Sequence, residues 1–531
     1  MRNFQSPGRS AVYADSAMVA TSHPLAAQVA VALLQNGGNA VDAAVGAGVL
    51  LGLCEPQMAG LGGDAFALIK PAGEERIVAL NGSGRAPEGL NAQTLRDRGL
   101  GAVPVYGVEA VTMPGAVDAF CTMSRDWGRL DLAQVLAPAI DYFETGVPVA
   151  PRVAHDWGAQ VDTLHGDARR FFLPLGRAPR AGERFAAPGQ AEVLRKIAAH
   201  GRDGFYLGAV AQDMIDSLRA HGGTHTMDDM AAVASTYSDP VISPYRDVEL
   251  VEHAPNGQGA TANLLLNILS HFDIAALDPM GAERTHLEAE ATRLAFDARD
   301  RFIADADATT RLAHMLDPQT AAQLAALINP NRAQAHAQVA LRTEAVHRDT
   351  VYLTVVDRDR MAVSLIYSIY HSFGARLASA RYGIAFQNRG AGFTLERGHP
   401  NEAAGGKRPM HTIIPGMVRK NQRLLMPFGV MGGAYQPCGH ARLVSNLVDY
   451  GMDPQQAIDA PRAFAGLFSG KDGLALETGY CGAVYDALAA KGHALRWSDE
   501  PLGGAQAIVL DPSGVLIGAS DPRKDGAALG Y

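Results

Sequence analysis

Residues 347–357 read His347-Arg348-Asp349-Thr350-Val351-Tyr352-Leu353-Thr354-Val355-Val356-Asp357. A polar lead-in stops at one threonine, and a β-branched, apolar run follows at once, which is how a strand begins. Residues 361–370 form a second such run, and Asp357-Arg358-Asp359-Arg360 lies between the two. This pattern predicts a hairpin with Thr350 at its open end.

Upstream, residues 19–23 predict a short strand. Pro24 opens a helix that runs to about Gln35 and stops at Gly37-Gly38, and Asn39 can cap a second helix over residues 40–54. Gly60-Leu61-Gly62-Gly63-Asp64 is a turn before a strand at residues 65–70. It lacks G-x-G-x-x-G spacing and does not open a helix, so phosphate binding is disfavoured. A further strand at residues 77–80 ends in the loop Asn81-Gly82-Ser83-Gly84-Arg85-Ala86-Pro87. From residue 114 to 328 the patterning is mainly helical, with a strand interlude at 240–253. Residues 321–347 read as an exposed connector rich in Ala and Gln.

Beyond the hairpin, residues 382–389 predict a strand with a polar end, followed by a loop to Gly406. The strand at residues 424–431 ends in Gly432-Gly433 before a helix over 440–450. Residues 453–464 predict a helix capped by Asp453, and residues 506–510 and 515–519 predict a hairpin. Helices first and strands later suggest a layered α+β core and not a parallel βαβ series.

The chain has 531 residues, 19% of them charged, and a net charge of −9 with no run of five basic residues. Binding to nucleic acid or to an anionic membrane is therefore disfavoured. No apolar h-region follows the N-terminal arginines, and the apolar stretch at 40–54 is too short to span a bilayer, so a cytoplasmic location is expected. Cys54, Cys121, Cys438 and Cys481 are scattered, with no C-x-x-C spacing, and read as four buried thiols.

A threonine hydroxyl needs a base, and a free α-amine of pKa about 8 on the same residue can be one. Thr350 would have to become an N-terminus, through an N-to-O acyl shift at the Asp349–Thr350 bond and hydrolysis. Gly432-Gly433, at a strand-to-helix turn, could then offer N–H groups to the oxyanion. On the residues alone, an ordinary strand entry and an ordinary turn remain open.

Several blocks bear on the choice. They are His23-Pro24-Leu25-Ala26, Gly37-Gly38-Asn39-Ala40-Val41-Asp42, Gly60-Leu61-Gly62-Gly63, Asp349-Thr350 with Val355-Val356-Asp357, Lys407-Arg408-Pro409, Gly429-Val430-Met431-Gly432-Gly433 and Ser520-Asp521-Pro522-Arg523-Lys524-Asp525-Gly526. Together they resemble the γ-glutamyltransferase family of N-terminal-nucleophile hydrolases, which includes glutathione hydrolases, over nearly the whole chain. The resemblance implies an α+β fold, the four-layer αββα sandwich, built from a large chain (1–349) and a small chain (350–531). These would form a heterodimer, or a dimer of heterodimers. It implies cleavage between Asp349 and Thr350, Thr350 as nucleophile, Ser368 in the place of a second threonine that bonds it, and Gly432 and Gly433 as the oxyanion hole. It requires no metal or organic cofactor.

The departures concern the substrate. Ser83 stands where γ-glutamyl enzymes carry a carboxylate-clamping arginine, and Arg85 lies two positions on. Arg389 and Gly392 replace the glutamine and aspartate of the ammonium-binding segment, Tyr370 replaces an asparagine, and His411-Thr412 replace a serine pair. Arg85, Tyr370, Arg389, His411 and Thr412 are thus the candidate substrate contacts. A site that loses a carboxylate and gains an arginine binds ammonium poorly. The expected substrate is a small anionic amide such as oxamate. The alternatives are a γ-glutamyltransferase or glutathione hydrolase, and an unprocessed binding or scaffold protein that keeps the fold.

Overall fold

The computed structural model describes residues 8–334, 350–466 and 473–531. Asp349 and residues 335–347 of the expected connector lie outside the described residues. The hairpin forms as the pattern predicts: Val351–Val356 pairs with Ala362–Ser368, Val351 opposite Tyr367 and Val356 opposite Ala362. Asp357 closes it, its Oδ1 accepting the N–H groups of Asp359 and Met361 at 2.9 and 3.0 Å. The other carboxylate oxygen accepts the Ala40 N–H at 2.9 Å, so the turn also caps the helix Ala40–Cys54. Asn39 and Asp42 complete a capping box there.

The hairpin occupies the middle of one antiparallel sheet. Its strands run, edge to edge, Ala527–Gly530, Met18–Thr21, Val351–Val356, Ala362–Ser368, Asp64–Lys70, Val78–Gly82 and Thr236–Ser238. The second sheet runs Val12–Ala14, Leu516–Ser520, Gly504–Leu510, Arg423–Met431, Gly416–Lys420, Val248–Glu252 and Val241–Tyr245. Alternation along the strand explains the layers. Val351, Leu353 and Val355 join a buried core with the helices Pro24–Gln35, Ala40–Cys54 and Leu132–Thr145. Tyr352 and Val356 face the other way, into the space between the sheets. The second sheet buries Leu250, Phe428, Val430 and Ala507 against Gly259–Leu269, Ala282–Phe302 and Gln436–Val448. Burying each large aliphatic side chain contributes about 1.5–3 kcal/mol. The result is the expected αββα sandwich.

Between the sheets, Tyr352 crosses to Gly429, where a β-carbon would lie 2.3 Å from its ring. Its hydroxyl meets Ser364 Oγ at 2.8 Å. Glycine at 429 is therefore what lets a tyrosine fill this gap.

Five expectations are corrected, the last being four buried thiols. Both sheets take strands from the two halves of the chain, so helices and strands are not segregated in sequence. Residues 382–389 are not a strand: Gly383 has φ 70°, and the backbone bonds locally to Leu377 and Ala375 and, through the Gln387 N–H, to Gly62. Residues 321–331 are not wholly an exposed connector, because Asp317 caps the helix Pro318–Ala325, which buries Ala321 and Ala325, and Ile328 is buried just beyond it. Asp453 caps only Pro454–Asp459, and beyond Pro461 the chain turns into the strand Ala463–Ala465. Of the cysteines, Cys54 and Cys438 are buried, Cys121 is half-buried and Cys481 is exposed, and all four are free.

Candidate active site

Thr350 stands at the first position before its strand and is fully buried. Its Oγ1 donates to Ser368 Oγ at 3.4 Å, across the open end of the hairpin. Ser368 Oγ also accepts the Tyr370 N–H at 2.9 Å. That bond holds Tyr370 at φ 80°, a left-handed conformation that strains a bulky residue and ends the strand. The Tyr370 ring is stacked on His371, with centroids 4.4 Å apart. Over the ring lies the Arg389 guanidinium, 3.9 Å from the centroid.

Arg389 begins a short turn, Arg389–Gly392, and is fully buried. Its Nη1 donates to Thr412 Oγ1 at 3.0 Å. Among the described residues, its Nε and Nη2 have no hydrogen-bond partner. These two nitrogens form one edge of the guanidinium, the pair that grips a carboxylate side-on. Burial pulls the Arg389 pKa down to about 10, against the opposing pull of Tyr370 and Asp64, so it stays charged at neutral pH.

Asp64 organises the loops around it. Its Oδ1 accepts the N–H groups of Gly84 (2.9 Å) and Gly115 (3.2 Å) and Gln387 Nε2 (2.9 Å), and its Oδ2 accepts His411 Nε2 (3.0 Å). Ile413 N–H donates to His411 Nδ1 at 3.3 Å, which puts the ring proton on Nε2. Burial raises the Asp64 pKa to about 6, against Arg389 and the donated hydrogen bonds.

The glycine turn before Asp64 is a packing hub. A β-carbon on Gly62 would lie 2.1 Å from the Ala385 carbonyl oxygen, and one on Gly63 2.5 Å from that of Ser368. Gly63 O accepts the N–H groups of Gly115 and Ala116 at 3.0 and 2.9 Å.

Gly432 (φ 122°) and Gly433 (φ 55°) end the strand Arg423–Met431, and the helix Gln436–Val448 follows. Met431 packs with Tyr352, Ile366 and Ile413, so this turn emerges beside the end of the hairpin that carries Thr350. Gln258 ties the turn to the rest of the site. Its Nε2 donates to Gly433 O at 3.0 Å and to Thr412 O at 2.7 Å, while Arg299 braces its Oε1 at 3.0 Å.

Tyr370, Arg389, His411, Thr412, Ser368 and Thr350 thus belong to one bonded network. Arg85 does not join it. Its side chain is 44% exposed, pairs with Asp305 at 3.1 Å and donates to Gly406 O at 2.9 Å. It lines a neighbouring cavity of about 310 Å³ with Gly84, Met113, Asp229 and Arg408. Ser83 is also turned away, its Oγ accepting from Asn256 Nδ2 at 3.1 Å. Asp64, Gln258 and Gln387 were not singled out from sequence. The one available signal was an aspartate placed directly after Gly-Gly at the head of an apolar strand.

Elsewhere, the ligand atoms of His286, Glu290 and His493 lie within 4.8 Å of one another. The two imidazoles already meet at 2.7 Å, and Glu290 pairs with Arg293 at 2.6 Å, so the cluster is closed by its own contacts. Among the described residues no helix is long and apolar enough to cross a membrane.

The gamma-glutamyltranspeptidase family model matches residues 26–531. The chain belongs to that family. It is 36% identical to the glutathione hydrolase-like YwrD proenzyme of Bacillus subtilis strain 168, covering 97% of this chain and 98% of that one. It is also 36% identical to the oxamate amidohydrolase proenzyme of Klebsiella pneumoniae, again over 97% and 98%. The crystal structure of a cephalosporin acylase from Bacillus halodurans matches with a TM-score of 0.91 at 36% identity, covering 100% of this chain and 99% of that one. The protein is therefore an enzyme of the gamma-glutamyltranspeptidase family, an amidohydrolase of the N-terminal-nucleophile class whose relatives are made as proenzymes. At Gly392, where the resemblance expects the family's aspartate, a β-carbon would lie 2.8 Å from the Met410 carbonyl oxygen. The Met410 carbonyl crowds the β-carbon an aspartate would bring.

Proposed function

We propose that this enzyme hydrolyses a small amide that carries a carboxylate and no ammonium group, oxamate being the simplest case. The observation that carries this reading is the buried Arg389, whose Nε and Nη2 find no hydrogen-bond partner among the described residues. A buried guanidinium with two unmet donors is costly by itself and is matched by a carboxylate that accepts both. The relative named oxamate amidohydrolase supports the same substrate class.

In this reading the precursor splits before Thr350 into chains 1–349 and 350–531, and the freed α-amine serves as base for the Thr350 hydroxyl. Arg389 fixes the carboxylate. The Thr350 oxygen attacks the amide carbon, and the oxyanion takes N–H donors from Gly432 and Gly433, beside the N-terminus of the helix Gln436–Val448. The amine passes its proton to the leaving nitrogen, ammonia departs, and water resolves the acyl-enzyme. Ser368 holds the nucleophile in line.

Ammonia release from oxamate, set beside p-nitroaniline release from γ-glutamyl-p-nitroanilide, tests the substrate. Strong γ-glutamyl turnover without oxamate hydrolysis would overturn it. Denaturing electrophoresis tests the nucleophile. The parent chain should give two bands, and Thr350→Ala should give one band and no activity. Splitting that persisted in the variant would remove Thr350 from the role.

A further inference from the structure

We propose that Asp64 is the positioning residue that aims Arg389 and so sets the charge class of substrate the pocket accepts. The inference rests on the reading of Arg389 as the carboxylate receptor.

Asp64 is the first residue of the strand Asp64–Lys70 and pairs in register with Ser368. Its carboxylate collects four donors from four separate segments: Gly84, Gly115, Gln387 and His411. Two of these segments hold the guanidinium. Gln387 lies two residues before Arg389 and anchors the turn from which that side chain springs. His411 immediately precedes Thr412, whose hydroxyl takes Arg389 Nη1. Asp64 therefore fixes both the root of Arg389 and the hydroxyl its tip leans on.

Among the described residues, Asp64 spends its hydrogen bonds on these loops and not on Arg389. Its negative charge still lies near enough to offset part of the guanidinium's burial. The arrangement supplies a counter-charge while leaving the Nε and Nη2 edge to a ligand. A direct Asp–Arg pair would close that edge.

Only an acceptor-only group fits here. A carboxylate offers lone pairs to all four N–H donors. Asparagine would turn its NH₂ toward one oxygen's donors, facing either His411 or the group of Gln387, Gly84 and Gly115, so one of the two loops that hold Arg389 would lose its tether.

The test is Asp64→Asn, followed by electrophoresis, oxamate kinetics and a crystal structure. The two-band pattern should survive, because the nucleophile does not bond Asp64. KM for oxamate should rise about tenfold or more, with kcat within about threefold of the parent enzyme, since ground-state binding of the carboxylate is what is lost. The crystal structure should show the 3.0 Å contact between Arg389 and Thr412 broken. An unchanged KM with that contact intact would overturn the inference. Arg389→Met separates the two readings. If it raises KM and Asp64→Asn does not, Asp64 loses its role and the receptor stands. If Arg389→Met leaves KM unchanged, the receptor reading fails, and the Asp64→Asn structure still decides whether Asp64 aims the arginine. Should Asp64→Asn fail to fold, His411→Asn removes a single tether. It should raise KM less but in the same direction, and no rise would count against the proposal.

Discussion

The Arg389 guanidinium lies 3.9 Å over the ring of Tyr370, and that ring belongs to a residue held at φ 80° by the hydroxyl of Ser368. The strained tyrosine links Ser368, which bonds Thr350, to Arg389. Replacing Arg389 with lysine keeps the charge but removes both the flat face and the side-on fork. KM for an anionic amide should rise about 10–100-fold, corresponding to about 1.4–2.8 kcal/mol, while splitting at Thr350 continues. Steady-state kinetics on oxamate checks it, and an unchanged KM would show that the fork is not used.

Gly392 explains why a γ-glutamyl ammonium site is not easily restored. The β-carbon of Gly392→Asp would sit 2.8 Å from the Met410 carbonyl oxygen, so the turn must move to admit it. The variant should lose about 1–3 kcal/mol of stability, as overpacked sites do, and should gain no γ-glutamyl-p-nitroanilide activity. Thermal melts and a chromogenic assay measure the two effects. A stable variant with new γ-glutamyl turnover would show that the space exists after all.

Gly429 carries a similar prediction inside the sandwich. Gly429→Ala brings a methyl group to 2.3 Å from the Tyr352 ring and should cost about 1–3 kcal/mol. Adding Tyr352→Val should recover part of that loss, because the two residues share one space and their effects do not add. Melting temperatures of the single and double variants give the coupling, and strict additivity would contradict the packing.

Glu55 should make stability depend on pH. It is fully buried against Ser22, and burial raises its pKa to about 7, against Lys524 and the Ser22 hydrogen bond. Asp525 and Asp156 act in the same direction as burial. Because its folded pKa lies above the unfolded one, the folded state holds a proton that the unfolded state gives up. The stabilisation is full below about pH 4.5 and is lost as pH rises through about 7. The change is on the order of 3 kcal/mol. Glu55→Gln has no such proton, so its melting temperature relative to the parent should climb between pH 5 and pH 8. Parallel pH profiles for the two proteins would rule this out.

What could be read from the sequence was local. The hairpin at Thr350 showed itself through two apolar, β-branched runs around a charged turn, and Asn39 and Asp453 announced their helices because a cap acts within three residues. Asp64 left almost no local trace. Its four donors stand 20, 51, 323 and 347 residues away, so nothing in its neighbourhood reports them. Residues 382–389 misled for a related reason. Their apolar pattern suits burial, but their backbone groups are taken by the glycine turn and by the preceding loop instead of a ladder. Arg85 was two positions from an expected anchor, yet the strand ends so that Ser83 turns inward to Asn256 and Arg85 outward to Asp305.

The place of the hairpin in the first sheet bears on what a break before Thr350 would do. Val351–Val356 is bonded laterally to Met18–Thr21 on one side, and its hairpin partner Ala362–Ser368 is bonded to Asp64–Lys70 on the other. Scission there removes one covalent link and none of those rungs. The two products stay interleaved, so dilution cannot part them. Translated from separate messages, neither piece would hold a complete sheet until it met the other.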